Sequence, residues 1–409
     1  MSREHPFDMG KHLSRRMATL ALNPIIAVMN TARALKAAGV RVADFSVGEP
    51  DFDTPEHVQL AAIAAMRRGE TRYTATDGTP ALKTAVQAKF ARENGLDYAL
   101  DEVTVSAGAK QIIFNAFQAT LDEGDEVLIP APYWTSYPDA VALSGGRPVI
   151  VPCGRRDGYR LAPDVLGRSI TPRTKWLVLN SPSNPTGAVY SAGELAALAE
   201  VLRAHPDVMV LADEIYEHLL YDGQPFASIA AVAPDLRDRV LTVNGVSKTY
   251  AMTGWRIGFA GGPTKLIKAM AAIQSQATSN PCSISQAAAV EALSGDQSLV
   301  AERRADFERR RDLMASRLRG APGLEFEVPG GAFYLYIECG ALIGRTTPEG
   351  ERLADDGALS RYLLQHAHVA TVAGAAFGAS PCIRLAYATS AADIEYGCER
   401  IVDACRALH

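Results

Sequence analysis

The chain has 409 residues, 48% of them hydrophobic and 21% charged, with a formal net charge of −5. That length buries a large core and is expected to divide into two domains, while the acidic balance leaves no basic excess for nucleic acid. No run approaches the roughly 18 apolar residues of a membrane span. The six scattered Cys suit reduced thiols in the cytoplasm better than a disulfide framework, and the eight His show no metal-ligand spacing.

Lys11, Arg15 and Arg16 precede an apolar run from Met17 to Met29, an imitation of a secretory signal. Asn23-Pro24 interrupts the run and leads into an amphipathic helix over 24–38, so the segment reads as structural. Residues 41–47 predict a short strand, followed by a rigid loop that begins Gly48-Glu49-Pro50-Asp51-Phe52. Thr54 is placed to cap a helix running to about residue 68, with Pro55 at its first position. Tyr73 lies ahead of the turn Asp77-Gly78-Thr79-Pro80, which opens a helix through residue 94; locally it is an ordinary loop aromatic.

From residue 102 short β-branched runs alternate with helical patterns. Strands are predicted at 103–105, 126–129, 148–151, 175–179, 208–211 and 240–243, with helices at 110–121, 136–143 and 191–204. Continuous apolar strands between helices predict an α/β fold with a largely parallel sheet covered on both faces. Ligands bind such sheets beyond the carboxyl ends of the strands. A polar helix over 299–318 leads to a smaller α/β unit. That unit has strands at 326–328, 333–337, 369–372 and 383–387, helices at 357–366 and from 390, and an exposed excursion at 340–357. Cys398 and Cys405 share a face of the last helix, a position for core packing.

The residues after each strand carry the chemistry. Lys248 stands beside Ser247 in a small-residue loop, with Arg256 eight residues on. A lysine that forms a Schiff base needs a flexible stem and a pKa that falls on burial; Ser and Arg hold a phosphate dianion. A solvated lysine and a surface arginine would leave the same letters. Gly108-Ala109-Lys110 forms either a phosphate-binding helix start or a tight turn. Trp134 stacks on a flat ring or packs into the core. Asn184 sits in a proline-stiffened loop that is equally a plain turn. Asp213, at a buried strand end, needs a cation such as a protonated pyridine nitrogen, or else caps a helix, and Tyr216 is three residues on. Arg384 inside an apolar strand suits a two-point grip on a carboxylate, or faces water at an edge.

In this order the motifs resemble the class I pyridoxal-phosphate aminotransferases of fold type I, over about residues 13–405, nearest the bacterial aspartate aminotransferase subgroup called I-gamma. The resemblance implies a large cofactor-binding domain over 49–317. Residues 1–48 would form an N-terminal arm and part of a small domain, and residues 318–409 the rest of it; that domain closes over the substrate. It implies that Lys248 bonds the aldehyde of pyridoxal 5'-phosphate and moves the substrate proton, while Asp213 meets the pyridine nitrogen. Tyr216 and Asn184 would bond the ring hydroxyl, and Trp134 would stack on the ring. Gly108, Ala109, Ser247 and Arg256 would hold the phosphate, beside Lys110, with Tyr73 reaching in from a neighbouring subunit of a homodimer. Arg384 and Gly48 would hold the substrate α-carboxylate beside Trp134 and Asn184. Lys110, and Ser275 from across the dimer, would meet a distal carboxylate. The implied reaction is transamination between aspartate or glutamate and a 2-oxo acid such as 2-oxoglutarate, in the cytoplasm, with no nucleic-acid or membrane partner. The apolar stretch Asn23-Pro24-Ile25-Ile26-Ala27 departs from the small hydroxyl residues of related enzymes and widens the choice to aromatic, prephenate-like or specialised amino acids. A lyase, decarboxylase, cyclase or oxidase on the same fold is the alternative chemistry, and a cofactor-binding regulator the non-catalytic one.

Overall fold

The computed structural model describes residues 12–14, 17, 20 and 24–409; Lys11, Arg15, Arg16 and Asn23 lie outside them. Strands form where the apolar runs occur: β1 (Ala43–Asp44), β2 (Val103–Ser106), β3 (Glu126–Ala131), β4 (Arg147–Pro152), β5 (Thr174–Asn180), β6 (Met209–Asp213), β7 (Val240–Gly245), β8 (Gly258–Gly261), β9 (Tyr334–Glu338), β10 (Val369–Ala370), β11 (Val372–Ala373) and β12 (Cys382–Ala386). Seven of them build one sheet in the order β2-β8-β7-β6-β5-β3-β4. Its pairings are parallel except at β8, which runs antiparallel to both neighbours. A second sheet has the antiparallel order β11-β12-β9, and β1 pairs in parallel with β10.

The helices are α1 (Pro24–Ala37), α2 (Glu56–Arg67), α3 (Pro80–Lys89), α4 (Ala109–Thr120), α5 (Ser136–Leu143), α6 (Pro163–Ser169), α7 (Ala192–Arg203), α8 (Ile229–Val232), α9 (Thr264–Ala277), α10 (Ser283–Ser294), α11 (Ser298–Leu318), α12 (Asp356–Tyr362) and α13 (Ala391–Arg406). One face of the large sheet packs against α4, α5 and α9 through Ile112, Phe117, Val141 and Met270; the other packs against α2, α3, α7 and α10. Each such fully buried large apolar side chain contributes about 1.5–3 kcal/mol. A further core joins α11 and α13 to β9 and β12, and it takes in Cys398 and Cys405. All six cysteines are free thiols. Among the described residues no helix is long and apolar enough to cross a membrane.

Five local expectations change. Thr54 does not cap α2; its hydroxyl donates to the Ala251 carbonyl at 2.8 Å and accepts from Trp255 Nε1 at 3.0 Å, so a tertiary partner outcompetes the cap. The helix expected through residue 94 ends as α at Lys89 and continues as a π turn, Phe90–Asn94. The strand at 41–47 shortens to β1. No strand forms at 326–328, where a lone bridge joins Glu325 to Glu338. The strand at 369–372 breaks at Thr371, and β10 and β11 go to different sheets. Helices α6, α8, α9 and α10 and strand β8 have no counterpart in the sequence reading. β8 escapes because two of its four residues are glycines. They are required by close approach: a Cβ at Gly258 would strike the Gly108-Ala109 backbone, and one at Gly261 would strike the Tyr98 ring.

Candidate active site

Beyond the carboxyl ends of β2, β3, β5, β6 and β7 lies a cavity of about 340 Å³, within the size range of small-molecule sites. Lys248, Asp213, Tyr216, Asn184 and Trp134 line it, together with Ser247, Arg256, Ala109, Lys110, Gly48 and Arg384. The topology explains the convergence. Adjacent parallel strands end side by side, so residues more than a hundred positions apart in sequence meet at one edge.

Lys248 follows β7, and its Nζ donates to the Gly48 carbonyl at 2.6 Å. Burial lowers its pKa to about 8; Glu49 opposes that shift, while Arg384 and Arg256 add to it. Asp213 closes β6. Burial pushes its carboxyl up, against the Tyr137 hydroxyl donating to Oδ2 at 2.6 Å, the Ile215 N–H and the charge of Lys248. Tyr216 shares a 2.7 Å hydrogen bond with Tyr334, and burial holds its phenol well above the usual range. Arg384, only 1% exposed, donates from Nη1 to Asn184 Oδ1 at 3.0 Å and from Nη2 to the Ser46 carbonyl at 2.6 Å, while its buried Nε has no partner. Its guanidinium lies 4.5 Å from the Tyr334 ring centroid.

At the other end, Gly108 precedes α4 with φ +90°, and a Cβ there would collide with the Arg256 guanidinium. Arg256 itself is left-handed (φ +57°), held by Nη1 donating to the Thr253 carbonyl at 2.9 Å. Lys110 Nζ sits 4.9 Å from the Trp134 ring centroid, and burial, with Arg256, lowers its pKa. Helix start, arginine and Ser247 thus make a cationic end suited to a phosphate, whereas the Asp213 carboxyl marks the opposite end.

Gly108 stands just behind the lining residue Ala109, and two expected residues lie away from the cavity of this chain. Tyr73 is 89% exposed, and Ser275 lies exposed on α9 with its hydroxyl on the Ala272 carbonyl. Others that the sequence did not single out are there: Tyr137 on Asp213, Tyr334 on Tyr216, and Asn180, whose Nδ2 donates to the Asp213 carbonyl and whose Oδ1 accepts from the Asn184 N–H. Tyr137 lies three residues past Trp134, one helical turn on, which was the available signal.

A half-buried lysine and a buried carboxyl group flank a cavity with a cationic phosphate-type end and a deeply set arginine, on a mostly parallel sheet. This is the layout of a small-molecule enzyme site at the strand ends of an α/β sheet. The family model described as "Aminotransferase class I and II" matches residues 40–401, and the chain belongs to that family; it moves amino groups between amino and oxo acids. It is similar to the aspartate aminotransferase of Rhizobium meliloti strain 1021, with 54% identity over 98% of both chains. It is also 53% identical to the aspartate/prephenate aminotransferase of Cereibacter sphaeroides, over 97% of this chain and 99% of that one. The crystal structure of the Rhizobium meliloti aspartate aminotransferase superposes with a TM-score of 0.94, at 54% identity over 97% of this chain and 99% of that one. That of the Thermus thermophilus enzyme with maleate gives 0.89, at 43% identity over 96% and 99%.

Proposed function

We propose that the cavity holds pyridoxal 5'-phosphate and that the enzyme transaminates aspartate or glutamate with a 2-oxo acid such as 2-oxoglutarate, in two half-reactions. When bound, the cofactor supplies an aldehyde that takes up the amino group and a protonated ring that accepts electron density from Cα. The residues fit it: the side-chain-free approach of Gly108 to Arg256 leaves room for a phosphate at the start of α4, and Asp213 places a carboxylate where a pyridinium nitrogen would be held.

The observation that carries this reading is the Lys248 amine, lining the cavity on the Gly48 carbonyl with a pKa lowered by desolvation to about 8, close enough to neutrality to take and return a proton. In this reading Arg384 binds the α-carboxylate with N–H groups left free by Asn184 and Ser46, and Gly48 borders it. Tyr216 and Asn184 orient the ring hydroxyl, and Trp134 covers one ring face. Lys110 offers charge to a distal carboxylate, in keeping with the maleate held by the Thermus enzyme. Ile25 lines the same cavity and gives it an apolar wall, which favours additional turnover of an aromatic or prephenate-like substrate.

A homodimer is part of the proposal. Exposed Leu60, Ile63 and Met66 form a stripe at every third residue of α2, close in sequence to the outlying Tyr73. A second copy covering that stripe would bring Tyr73 and Ser275 toward its own cavity. The division at 48/49 and 317/318, and a cytoplasmic location, belong to the same reading.

Purified, cofactor-loaded enzyme given aspartate alone should form about one equivalent of oxo acid per site and stop until 2-oxoglutarate is added. Continuous turnover on donor alone would mean a lyase or oxidase. Lys248→Ala should lose both turnover and covalent retention of the cofactor after borohydride reduction.

A further inference from the structure

Behind the cavity wall lies a second polar cluster that this chemistry does not use. Lys89, at the end of α3, and Glu217, in the turn after β6, are both almost wholly buried and form an ion pair. Lys89 Nζ also donates to Asn94 Oδ1 at 2.6 Å, and Asn94 Nδ2 donates to Glu217 Oε2 at 2.6 Å. Next to them His218 shares hydrogen bonds through Nε2 with Glu93 Oε2 at 2.9 Å and through Nδ1 with Thr249 Oγ1 at 3.0 Å. Burial pushes the Glu93 carboxyl up, but the His218 hydrogen bond and the Lys89 charge outweigh it and hold the group at about 2.

Glu93, Glu217 and His218 bring three potential ligand atoms within 4.8 Å of one another, close enough for a metal ion. The Lys89 ammonium stands in contact with Glu217 and 3.5 Å from Glu93, so the cationic place is taken by the chain's own charge. A buried ion pair of this kind adds little net stability, and its hydrogen bonds hold in place the groups it joins.

What it joins is specific. Thr249 directly follows Lys248. Tyr216 and His218 lie two apart in one turn, the first lining the cavity and the second holding the network. Arg303, on α11, adds a donor to the Thr249 carbonyl at 3.3 Å. One imidazole therefore ties the loop after β7 to the turn after β6 and, through Glu93, to the π turn that extends α3.

We propose that His218 is a positioning residue for Lys248, acting through the Thr249 hydroxyl to fix the loop from which the lysine reaches into the cavity. The proposal rests on the reading of Lys248 given above.

Four variants of the cofactor-loaded full chain test it: Thr249→Val, which removes the hydroxyl at nearly constant shape, His218→Phe, the two combined, and His218→Gln. The pH midpoint of the bound cofactor's absorbance should move by about half a unit or more in each single variant and no further in the double, because both residues act through one bond. Turnover should fall roughly tenfold while KM for the amino donor stays within about twofold, a split expected when a reacting group is misplaced and binding is intact. His218→Gln, which keeps a polar partner for Thr249, should recover most of the turnover. Unmoved midpoints in the single variants, or single effects that add in the double, would overturn the proposal. So would zinc ions raising Tm of the parent protein but not of His218→Phe, which would make the cluster a metal site. Turnover surviving in Lys248→Ala would overturn the underlying reading of the lysine instead.

Discussion

The Tyr137 hydroxyl donates to Oδ2 of Asp213 at 2.6 Å, the side-chain hydrogen bond that opposes the upward push of burial on this carboxyl. Tyr137→Phe removes it without removing the ring. A hydrogen bond to a charged group contributes about 1.5–3 kcal/mol. Asp213 should then be driven further toward its neutral form, and cofactor affinity should fall about tenfold, read by fluorescence titration of the apoenzyme. Unchanged affinity would mean that Tyr137 only fills space.

Arg384 keeps two of its nitrogens on Asn184 and Ser46 and faces the cavity from inside β12. Arg384→Lys retains the charge but loses the planar fork and leaves Asn184 Oδ1 without its donor. We expect kcat/KM for both the amino donor and the oxo acceptor to fall about 10²-fold, equivalent to ~2.7 kcal/mol, with cofactor absorbance unchanged. Loss confined to one of the two substrates would place the α-carboxylate elsewhere.

Ile25, in the first turn of α1, presents an apolar wall to the cavity. Ile25→Ser removes three carbons from the apolar wall and adds a hydroxyl, and it should lower kcat/KM for phenylalanine relative to aspartate by about tenfold or more. A constant ratio of the two substrates would remove Ile25 from substrate choice.

Glu214 is buried beside Asp213, and burial raises its pKa to about 8 from an ordinary 4.5, with Glu217 adding to the rise and Ser228 opposing it. The folded chain thus holds a proton that the unfolded chain releases. Its stabilising contribution is whole below about pH 4.5 and is lost as pH rises toward 8. Glu214→Gln stays neutral throughout, so its Tm minus that of the parent should grow between pH 5 and 8, by about 2 °C or more. A difference that is flat with pH would show that Glu214 is charged in the folded protein.

Much of the large sheet was legible because its strands are buried on both faces, so each reads as a continuous apolar run whatever its neighbours are. Strand β6 falls close to its expected bounds for that reason. Chain geometry that depends on close approach was not legible. Gly258 and Gly261 look like breakers in the sequence, yet they let β8 slip against the Gly108-Ala109 backbone and Tyr98. Thr54 has the letters of a cap, but Ala251 and Trp255, about two hundred residues away, claim its hydroxyl.

The site divides in the same way. Lys248, Asp213, Asn184, Trp134 and Arg384 were each ambiguous alone and became legible as motifs in a fixed order, because ligands bind such a sheet beyond the carboxyl ends of its strands. The partners themselves were set by tertiary structure: Tyr137 under Asp213, Tyr334 against Tyr216, and His218 behind Lys248 through Thr249. Each is an aromatic with an ordinary local pattern, and its role depends on which way it points once parallel strands have brought distant residues to a common edge. Sequence order determined which groups carry the chemistry; the fold decided which neighbours set their charge and hold them in place.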